Sequence, residues 1–317
     1  MNIITPPCAH RPKKMGSHHD ELFAQGAGVI ACEGDLCAGL WFENTPVYQG
    51  KTIGTIGGCQ ISPTPEAATF LSDCASYLHN EHGCQTVVGP MNGNTWLQHR
   101  LVIESQGRDP FLMEPMEPTY FYDVFEKAEF SILSRYSSST IDLSSEQKSY
   151  HLLEKRLQKQ NIQLRSISSS HFEQDLMAIF KLSLMSFSNN FLYTPLPEKA
   201  FIQKYLSSRE HIVPELVILA EREDQLVGYV FCMPDLIAHE LGKPPAIIIK
   251  TLAALPDRSL SGLGTVLVAE AQKIAQAKGY KEAIHALQYE SNSSLRISQR
   301  FNATIFRRYA LMAKSLS

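Results

Sequence analysis

The stretch Leu252-Ala-Ala-Leu-Pro-Asp-Arg-Ser-Leu-Ser-Gly-Leu-Gly-Thr-Val-Leu-Val268 is predicted to join a buried strand to an amphipathic helix. Gly262 and Gly264 stand where the helix begins, so no side chain keeps a ligand from the backbone. The free N–H groups of the first helical turn and the helix dipole favour a bound anion such as a pyrophosphate. The stretch therefore predicts a phosphate-binding loop from Pro256 to Thr265. The alternative is that the glycines only allow tight packing of strand against helix.

Two other nucleotide-binding motifs do not fit this loop. The sequence has no GxxxxGK[ST] motif, which excludes the loop of a P-loop NTPase. A GxGxxG motif fails because Leu267 occupies the position of the third glycine, which argues against a dinucleotide-binding fold.

Length, composition and charge limit the classes of partner. The chain has 317 residues, of which 44% are hydrophobic and 19% charged, so it can bury ordinary cores and is long enough for two domains. The formal net charge is −3, and lysines and arginines are spread along the chain. We therefore expect a small-molecule or protein partner and neither nucleic acid nor membrane. The sequence does not predict the oligomeric state.

The cysteines and the N-terminal residues bear on the cellular compartment. Seven cysteines without a CxxC pair are typical of reduced, buried thiols and not of a disulfide framework or zinc site. The N-terminus lacks the apolar run of a signal peptide or membrane span, so we expect a cytoplasmic protein. His10, His18, His19 and Asp20 lie in a polar tail with no helical spacing, and no metal site is predicted.

The second half alternates predicted strands and helices. Apolar runs and β-formers indicate the strands, and amphipathic spacing indicates the helices. The hairpin has its turn near Glu223 and Asp224, and Gly279 is a plausible helix C-cap. The predicted elements are a strand at Ile162 to Ile167, a helix at Phe172 to Phe187, a hairpin at Leu216 to Met233, a strand at Ala246 to Leu255, a helix ending at Lys278 and a strand at Glu282 to Tyr289.

The first half repeats this order more weakly, which suggests a diverged internal duplication. Its elements are a hairpin at Val29 to Phe42, a strand at Thr52 to Ile61, a helix at Pro65 to His82 and a strand at Gln85 to Val88. The predicted divisions are an N-terminal tail (1–25), a first domain (26–142), a helical connector (143–160) and a second domain (161–317). The alternative for the connector is an extra helix packed on either domain.

The loop resembles the coenzyme A loop of the GNAT superfamily of N-acyltransferases, in which a strand ending in Leu-Pro precedes [RQ]-x-x-G-x-[GA] and a helix. The chain departs from the pattern at Ser259, which stands at the family's Arg or Gln position, with Arg258 one residue early. The residues in register are Leu255, Pro256, Asp257, Gly262, Gly264, Thr265 and Leu267.

A second segment, Asn292 to Ala303, resembles the family's closing pattern N-x-x-A-x-x-L-Y-x-x-x-G-F. Asn292 matches the family's asparagine, and Asn302 takes the place of its glycine. Gln299 replaces the tyrosine that often protonates the leaving thiolate, so the resemblance assigns no general acid.

The resemblance implies two tandem GNAT-like α/β (α+β) domains, each a mixed, mostly antiparallel sheet flanked by helices. It implies that the end of the strand binds the pantetheine arm through its backbone, and that acetyl-coenzyme A or another acyl-coenzyme A is the co-substrate. The cofactor-binding residues it implies are Leu252, Ala253, Ala254, Leu255, Arg258, Ser259, Leu260, Ser261, Gly262, Leu263, Gly264, Thr265 and Asn292.

The first half is predicted to be a degenerate copy. Its strand ends at Ile61-Ser-Pro63, and Thr64-Pro-Glu-Ala-Ala68 follows where a loop with two glycines would be needed. We therefore expect the first half not to bind coenzyme A.

Acyl transfer to an amine needs a deprotonated nucleophile, a polarised thioester carbonyl and a proton for the thiolate. His285, Tyr289, Glu290 and Tyr309 are expected near the site, but each has an alternative role in packing or as a solvated strand end, so the catalytic residues stay unassigned. The leading function is transfer of an acyl group, with acetyl preferred, from coenzyme A to an amine of a small molecule or protein. The alternative is a non-catalytic GNAT-fold protein that binds coenzyme A, a small ligand or a partner.

Overall fold

The computed structural model describes residues 1–4, 28–145 and 149–317. The first half contains β1 (Asn2–Ile4), β2 (Gly28–Glu33), β3 (Leu36–Trp41), β4 (Val47–Tyr48), β5 (Lys51–Thr52), β6 (Gly54–Gln60), α1 (Pro65–His82), β7 (Thr86–Gly89), β8 (Leu101–Ser105), α2 (Tyr120–Lys127) and β9 (Ser131–Asp142). The second half contains α3 (His151–Gln158), β10 (Ile162–Ser166), α4 (Phe172–Phe187), α5 (Glu198–Leu206), β11 (Val217–Arg222), β12 (Gln225–Pro234), α6 (Leu236–Glu240), β13 (Ala246–Ala254), α7 (Leu263–Ala277), β14 (Glu282–Tyr289), α8 (Ser293–Arg300) and β15 (Thr304–Ser315).

The predicted elements are present with bounds that differ by a few residues at most. The helices expected at Pro65 to His82 and Phe172 to Phe187 are confirmed to the residue. The turn of the second-half hairpin places Glu223 and Asp224 at φ 52° and 62°. The local pattern of apolar residues was therefore sufficient to locate these elements, whereas others, such as β9, were not predicted.

One sheet of 13 strands runs through both halves, in the order β1-β2-β3-β6-β7-β15-β9-β14-β13-β12-β11-β10, with β8 paired to β15. Among the described strands, parallel pairing occurs between β6 and β7 and between β13 and β14. These pairs hold equivalent positions in the two halves. The expected mixed, mostly antiparallel sheet flanked by helices is confirmed.

The last strand of each half pairs with the other half. Strand β9, from the first half, lies antiparallel to β14, and β15, from the second half, lies antiparallel to β7. The same two strands also pair with each other along most of their length. Backbone hydrogen bonds therefore join the halves into one continuous sheet.

Helices cover both faces of the second-half sheet. Ile218 and Ala220 of β11 pack in the core beneath α7, and Val217 and Leu219 pack in the core beneath α4 and α5. Alternate residues of a strand point to opposite faces, so the continuous apolar run of β11 fits a strand covered on both sides. Helix α3, within the expected connector, packs on the α7 side, where Leu157 is buried and Leu153 partly buried.

One pair of cysteines corrects the expectation of reduced thiols. Cys32 and Cys37 lie opposite each other in the β2–β3 hairpin, with Cα atoms 4.3 Å apart, and form a disulfide. The sequence argument missed this pair because it looked for a framework and not for a cross-strand register. Cys59, Cys74, Cys84 and Cys232 are buried, as expected, and Cys8 lies outside the described residues.

The predicted N-terminal tail (1–25) lies outside the described residues apart from 1–4, and so do His10, His18, His19 and Asp20. In the part of the chain that is described, no cluster of three His, Cys, Asp or Glu side chains is arranged to hold a metal ion. None of the described helices is both long and apolar enough to span a membrane.

Candidate functional site

The parallel strands β13 and β14 pair at one end and separate at the other. Ala246–Ile249 pairs with Glu282–His285, and the register ends there. Beyond this point Thr251–Ala254 stays paired with β12, but no described strand pairs with the other edge of β13. Ser186 Oγ donates to the Ala254 carbonyl at the open end. An extended ligand could therefore add to this edge as a further strand would.

The loop after β13 ends in a helix start with free backbone donors. The Asp257 carboxylate accepts from Ser259 N at 2.8 Å and caps a short 3₁₀ turn at Arg258–Leu260. Gly262 then adopts φ 86°, in the left-handed region, and α7 begins. Within the described residues, no acceptor contacts the backbone N–H groups of Gly262 to Thr265. These donors and the helix dipole favour an anion here.

Four arginines surround this loop, which gives it a positive potential. Arg222 donates to Ser259 Oγ at 3.0 Å and pairs with Asp257, and Arg300 donates to Thr265 Oγ1 at 2.9 Å. A Cβ placed on Gly262 would lie 3.4 Å from Arg156 Nη2. The remaining members of the set are Arg258 and Arg156, which have no polar partner in the described part of the chain.

The two loop glycines also have structural roles. The left-handed conformation of Gly262 disfavours any residue with a Cβ, whether or not a ligand binds. A Cβ on Gly264 would lie 3.0 Å from Ile297 Cδ1 and 3.4 Å from Leu252 Cδ2. Tight packing therefore explains Gly264, and the backbone turn explains Gly262. Replacing either glycine does not separate ligand binding from stability.

The structure brings most of the predicted cofactor-binding residues together. Leu252, Ala253 and Ala254 form the open end of β13, and Leu255 follows them directly. Asn292 precedes α8, where its Oδ1 accepts from Ser293 Oγ, and it makes no described hydrogen bond to the loop. The other predicted residues form the loop and the first turn of α7, namely Arg258, Ser259, Leu260, Ser261, Gly262, Leu263, Gly264 and Thr265, with Leu260, Leu263 and Thr265 buried.

The equivalent opening in the first half is filled by the chain itself. Strands β6 and β7 pair only at Gly54 and Thr55. Further along β6, Met91 N donates to the Ile56 carbonyl at 2.7 Å and Gly58 N donates to Asn92 Oδ1 at 2.6 Å. The backbone groups that could bind an extended ligand are thus already satisfied.

The helix after β6 is also poorly suited to an anion. It begins with Pro65, which has no N–H group to donate, and Glu66 follows in the first turn. Hydrogen bonds from its own backbone N–H and from Thr64 lower the pKa of the Glu66 carboxyl. This helix start therefore carries a carboxylate where α7 has glycines and free donors.

His285 lies in the core and not in the opening. Its Nδ1 is 2.6 Å from Ser298 Oγ and its Nε2 is 3.1 Å from Gln272 Nε2, so both ring nitrogens have partners. Burial lowers the pKa of His285 to about 4, which keeps the imidazole neutral. These contacts match the alternative of a satisfied core histidine.

The other candidate catalytic residues are engaged in stacking or hydrogen bonds with neighbouring side chains. Tyr289 stacks on Phe191 with ring centroids 5.3 Å apart, and Glu290 accepts from Arg308 at 2.8 Å. Tyr309 is fully buried and donates to Glu114, and burial raises its pKa far above the ordinary value. Tyr309 is therefore unsuited to exchange protons with a ligand.

Sequence reasoning missed Lys250, which lies where β13 and β14 separate. It is the charged residue in the apolar run Ala246–Ala254, and that interruption was a visible signal. Burial lowers the pKa of Lys250 to about 8.

Comparisons with known proteins bear on the fold and on the family of the second half. Residues 176–301 match the family model described as the acetyltransferase (GNAT) family. No curated protein sequence matches the chain. Because all similar solved structures named below are under 25% identical, they show the fold alone.

One similar structure is the GCN5-related glucosamine N-acetyltransferase region of a fungal multi-domain GH3 β-N-acetylglucosaminidase, with TM-score 0.56 and 14% identity; 90% of this chain is covered, but only 33% of that one. A GCN5-related N-acetyltransferase from Sphaerobacter thermophilus has TM-score 0.55 and 13% identity, with 91% of this chain and 79% of that one covered. A tandem GNAT protein from the clavulanic acid biosynthesis pathway has TM-score 0.50 and 11% identity, with 91% and 82% covered. The chain therefore has a tandem GNAT fold, and residues 176–301 of its second half match the model of the GNAT acetyltransferase family.

Proposed function

We propose that the chain transfers an acyl group, with acetyl preferred, from coenzyme A to an amine. The observation that carries this proposal is the free edge of Lys250–Ala254, which leads to a helix start with unbonded N–H groups. An acyl-coenzyme A has an anionic pyrophosphate at one end, amides along its pantetheine arm and a thioester at the other end. The site offers complementary groups in the same order.

The residues of the site have separate roles in this proposal. The N–H groups of Gly262 to Thr265 bind the pyrophosphate, with Arg156 and Arg258 as charged donors in place of the family residue replaced by Ser259. The edge of Leu252–Ala254 bonds the pantetheine amides. The thioester then lies near Lys250, where the strands meet.

The chemistry is a nucleophilic substitution at the thioester carbonyl. The amine nitrogen forms a bond to the carbonyl carbon, the carbon–sulfur bond breaks, the nitrogen loses a proton and the thiolate gains one. Holding the two reactants in one opening supplies part of the rate enhancement by positioning. Backbone N–H groups at the strand edge polarise the carbonyl oxygen.

One observation favours the second candidate, a protein that binds coenzyme A without catalysis. Gln299 takes the place of the family's tyrosine and is exposed, and an amide does not supply a proton to a thiolate.

Two measurements on the same preparation test both candidates. Calorimetric titration with coenzyme A is expected to give one site per chain. Release of free thiol from acetyl-coenzyme A is expected to depend on an added amine. Binding without amine-dependent release would select the non-catalytic candidate, and no binding at millimolar coenzyme A would contradict both.

A further inference from the structure

Lys250 is the extra residue of a β-bulge at the point where β13 and β14 separate. Phe231 pairs with Thr251 and Cys232 pairs with Ile249, which leaves Lys250 without a partner in β12. Bulges commonly redirect a side chain next to a site. An arm that is anchored at the loop and lies in the opening runs toward this residue.

The ammonium of Lys250 is surrounded by aromatic rings and lacks a counterion. It lies 5.0 Å from the ring centroid of Tyr205 and 5.6 Å from that of Phe231. Among the described residues, none accepts a hydrogen bond from it or forms an ion pair with it. Cation–π contacts compensate only part of the lost hydration of a half-buried ammonium.

A second lysine lies near the first. Lys204 Nζ donates to the Trp96 carbonyl at 3.0 Å, and no described carboxylate pairs with it. Loss of hydration, together with repulsion from the Lys250 ammonium, lowers the pKa of Lys204 to about 8. Lys204 directly precedes Tyr205 in α5, and the Tyr205 ring contacts the Lys250 ammonium, so the two lysines flank the same ring.

Unsatisfied hydroxyl groups lie beside Trp96, whose carbonyl accepts from Lys204. The Trp96 ring is 6.3 Å from the Tyr193 ring and 6.0 Å from the Phe201 ring, and Trp96 Nε1 donates to the Thr194 carbonyl at 2.7 Å. Tyr193 Oη and Thr194 Oγ1 are buried and have no hydrogen-bond partner in the described chain. Buried polar groups normally have partners, so these hydroxyls indicate a missing ligand or water.

We propose that Lys250 and Lys204 bind a carboxylate of the acceptor, so that the acceptor is an amine that carries a negative charge, of the amino-acid class. This inference rests on the proposed function, because it places the acceptor at the acyl end of the bound coenzyme A. A carboxylate would offset part of the charge of the two ammonium groups and could accept hydrogen bonds from the hydroxyls of Tyr193 and Thr194. Trp96, from the first half, would complete the acceptor site.

Matched pairs of amines test the proposal. Each pair is an amino acid and its C-terminal amide, which differ in the negative charge, and each is supplied with acetyl-coenzyme A to the wild-type protein. We expect kcat/KM to be at least about tenfold higher for the amino acid of the preferred pair. Equal kcat/KM values for acids and amides would overturn the proposal.

Variants of Lys250 test whether this side chain causes the preference for the amino acid over its amide. Lys250→Met is expected to bring the acid-to-amide ratio near one without lowering the melting temperature or the coenzyme A affinity. Lys250→Arg keeps the charge and is expected to keep the ratio. Lys273→Met, which removes an exposed lysine of α7, is the matched control and should leave the ratio unchanged. A ratio that survives Lys250→Met would overturn the proposal, and so would loss of all turnover in Lys250→Arg, because that result assigns proton transfer to the lysine.

Calorimetric measurements of binding distinguish failure of this inference from failure of the proposed function. If no amine is turned over, the coenzyme A complex is titrated calorimetrically with the same pairs. Coenzyme A binding without a preference for any acid over its amide overturns the acceptor class alone. Absence of coenzyme A binding contradicts the proposed function itself.

Discussion

At the scale of single residues, the side chains proposed to bind ligands are cations without acidic partners. Arg156 lies beside Gly262, and Lys250 lies among the rings of Tyr205 and Phe231. By contrast, Arg222 beside the loop is already paired with Asp257. An unpaired cation at a partly buried position lowers the stability of the free protein. A bound anion offsets that loss.

Replacing Arg156 should weaken coenzyme A binding with little effect on the fold. Arg156→Ala removes a charged phosphate donor from the exposed face of α3, so the dissociation constant is expected to rise about tenfold, or roughly 1.4 kcal/mol. Calorimetry checks this, with Lys155→Ala on the same helix as the control. Pantetheine, which has no pyrophosphate, should bind both variants alike. A weaker affinity for pantetheine in Arg156→Ala would contradict the assigned contact.

The effect of Lys250 on stability should depend on pH. Its ordinary pKa is 10.5 and its folded pKa is about 8, so the unfolded chain binds more protons between these values and the penalty of the buried charge falls as pH rises. Lys250→Met should therefore raise the melting temperature by a few degrees at pH 7, and by less at pH 10. Melting curves of both proteins across this range check the sign. A lower melting temperature for Lys250→Met than for the wild-type protein at pH 7 would contradict this prediction.

At the scale of elements, the two parallel strand pairs differ in the strand edge beyond their pairing, which is open in the second half and bonded in the first. The β13 edge is unpaired beyond Ile249, whereas the β6 edge is bonded by Met91 and Asn92. The difference in glycine content between the two following loops was visible in the sequence. That Met91 and Asn92 fill the first-half opening could not be predicted from the sequence, because it depends on how a segment 34 residues further along the chain folds back.

A substitution at Gly57 tests whether the first-half opening is firmly filled by Met91 and Asn92. A Cβ on Gly57 would collide with Asn92 Oδ1 and the Met91 carbonyl, so Gly57→Ala is expected to destabilise the protein by about 1–3 kcal/mol. Coenzyme A affinity should not change, because the proposed site lies in the second half. Chemical denaturation and calorimetry check the two statements. Unchanged stability would show that the segment is easily displaced, and altered affinity would place coenzyme A in the first half.

At the scale of the whole molecule, the exchanged strands make the halves interdependent. Strand β9 covers the edge of β14, and β15 covers the edge of β7. Strand β9 was not predicted from the sequence, and the partners of both strands were not readable either, since a strand's local sequence does not specify which edge it joins. Trp96 of the first half likewise contacts Phe201 of the second, and sequence spacing gives no signal of that contact.

Separating the halves should therefore disrupt the second one. Residues 161–317 alone lack β9, which exposes the edge of β14 to other chains. We expect this fragment to aggregate or to melt without a cooperative transition, and co-expression with residues 1–160 to restore a soluble complex. Size-exclusion chromatography and melting curves check this. A monomeric fragment with the melting temperature and coenzyme A affinity of the full chain would contradict the role of the exchange.

The central claim is that coenzyme A occupies the opening between β13 and β14 and no other site. Crystals of the full chain grown with coenzyme A test it most directly. The account predicts electron density for one molecule per chain, with the pyrophosphate at Gly262 to Thr265, the arm along Leu252–Ala254 and the thiol near Lys250. Density at Thr64 to Ala68 in the first half, or an empty β13–β14 opening in crystals that hold coenzyme A elsewhere, would contradict it.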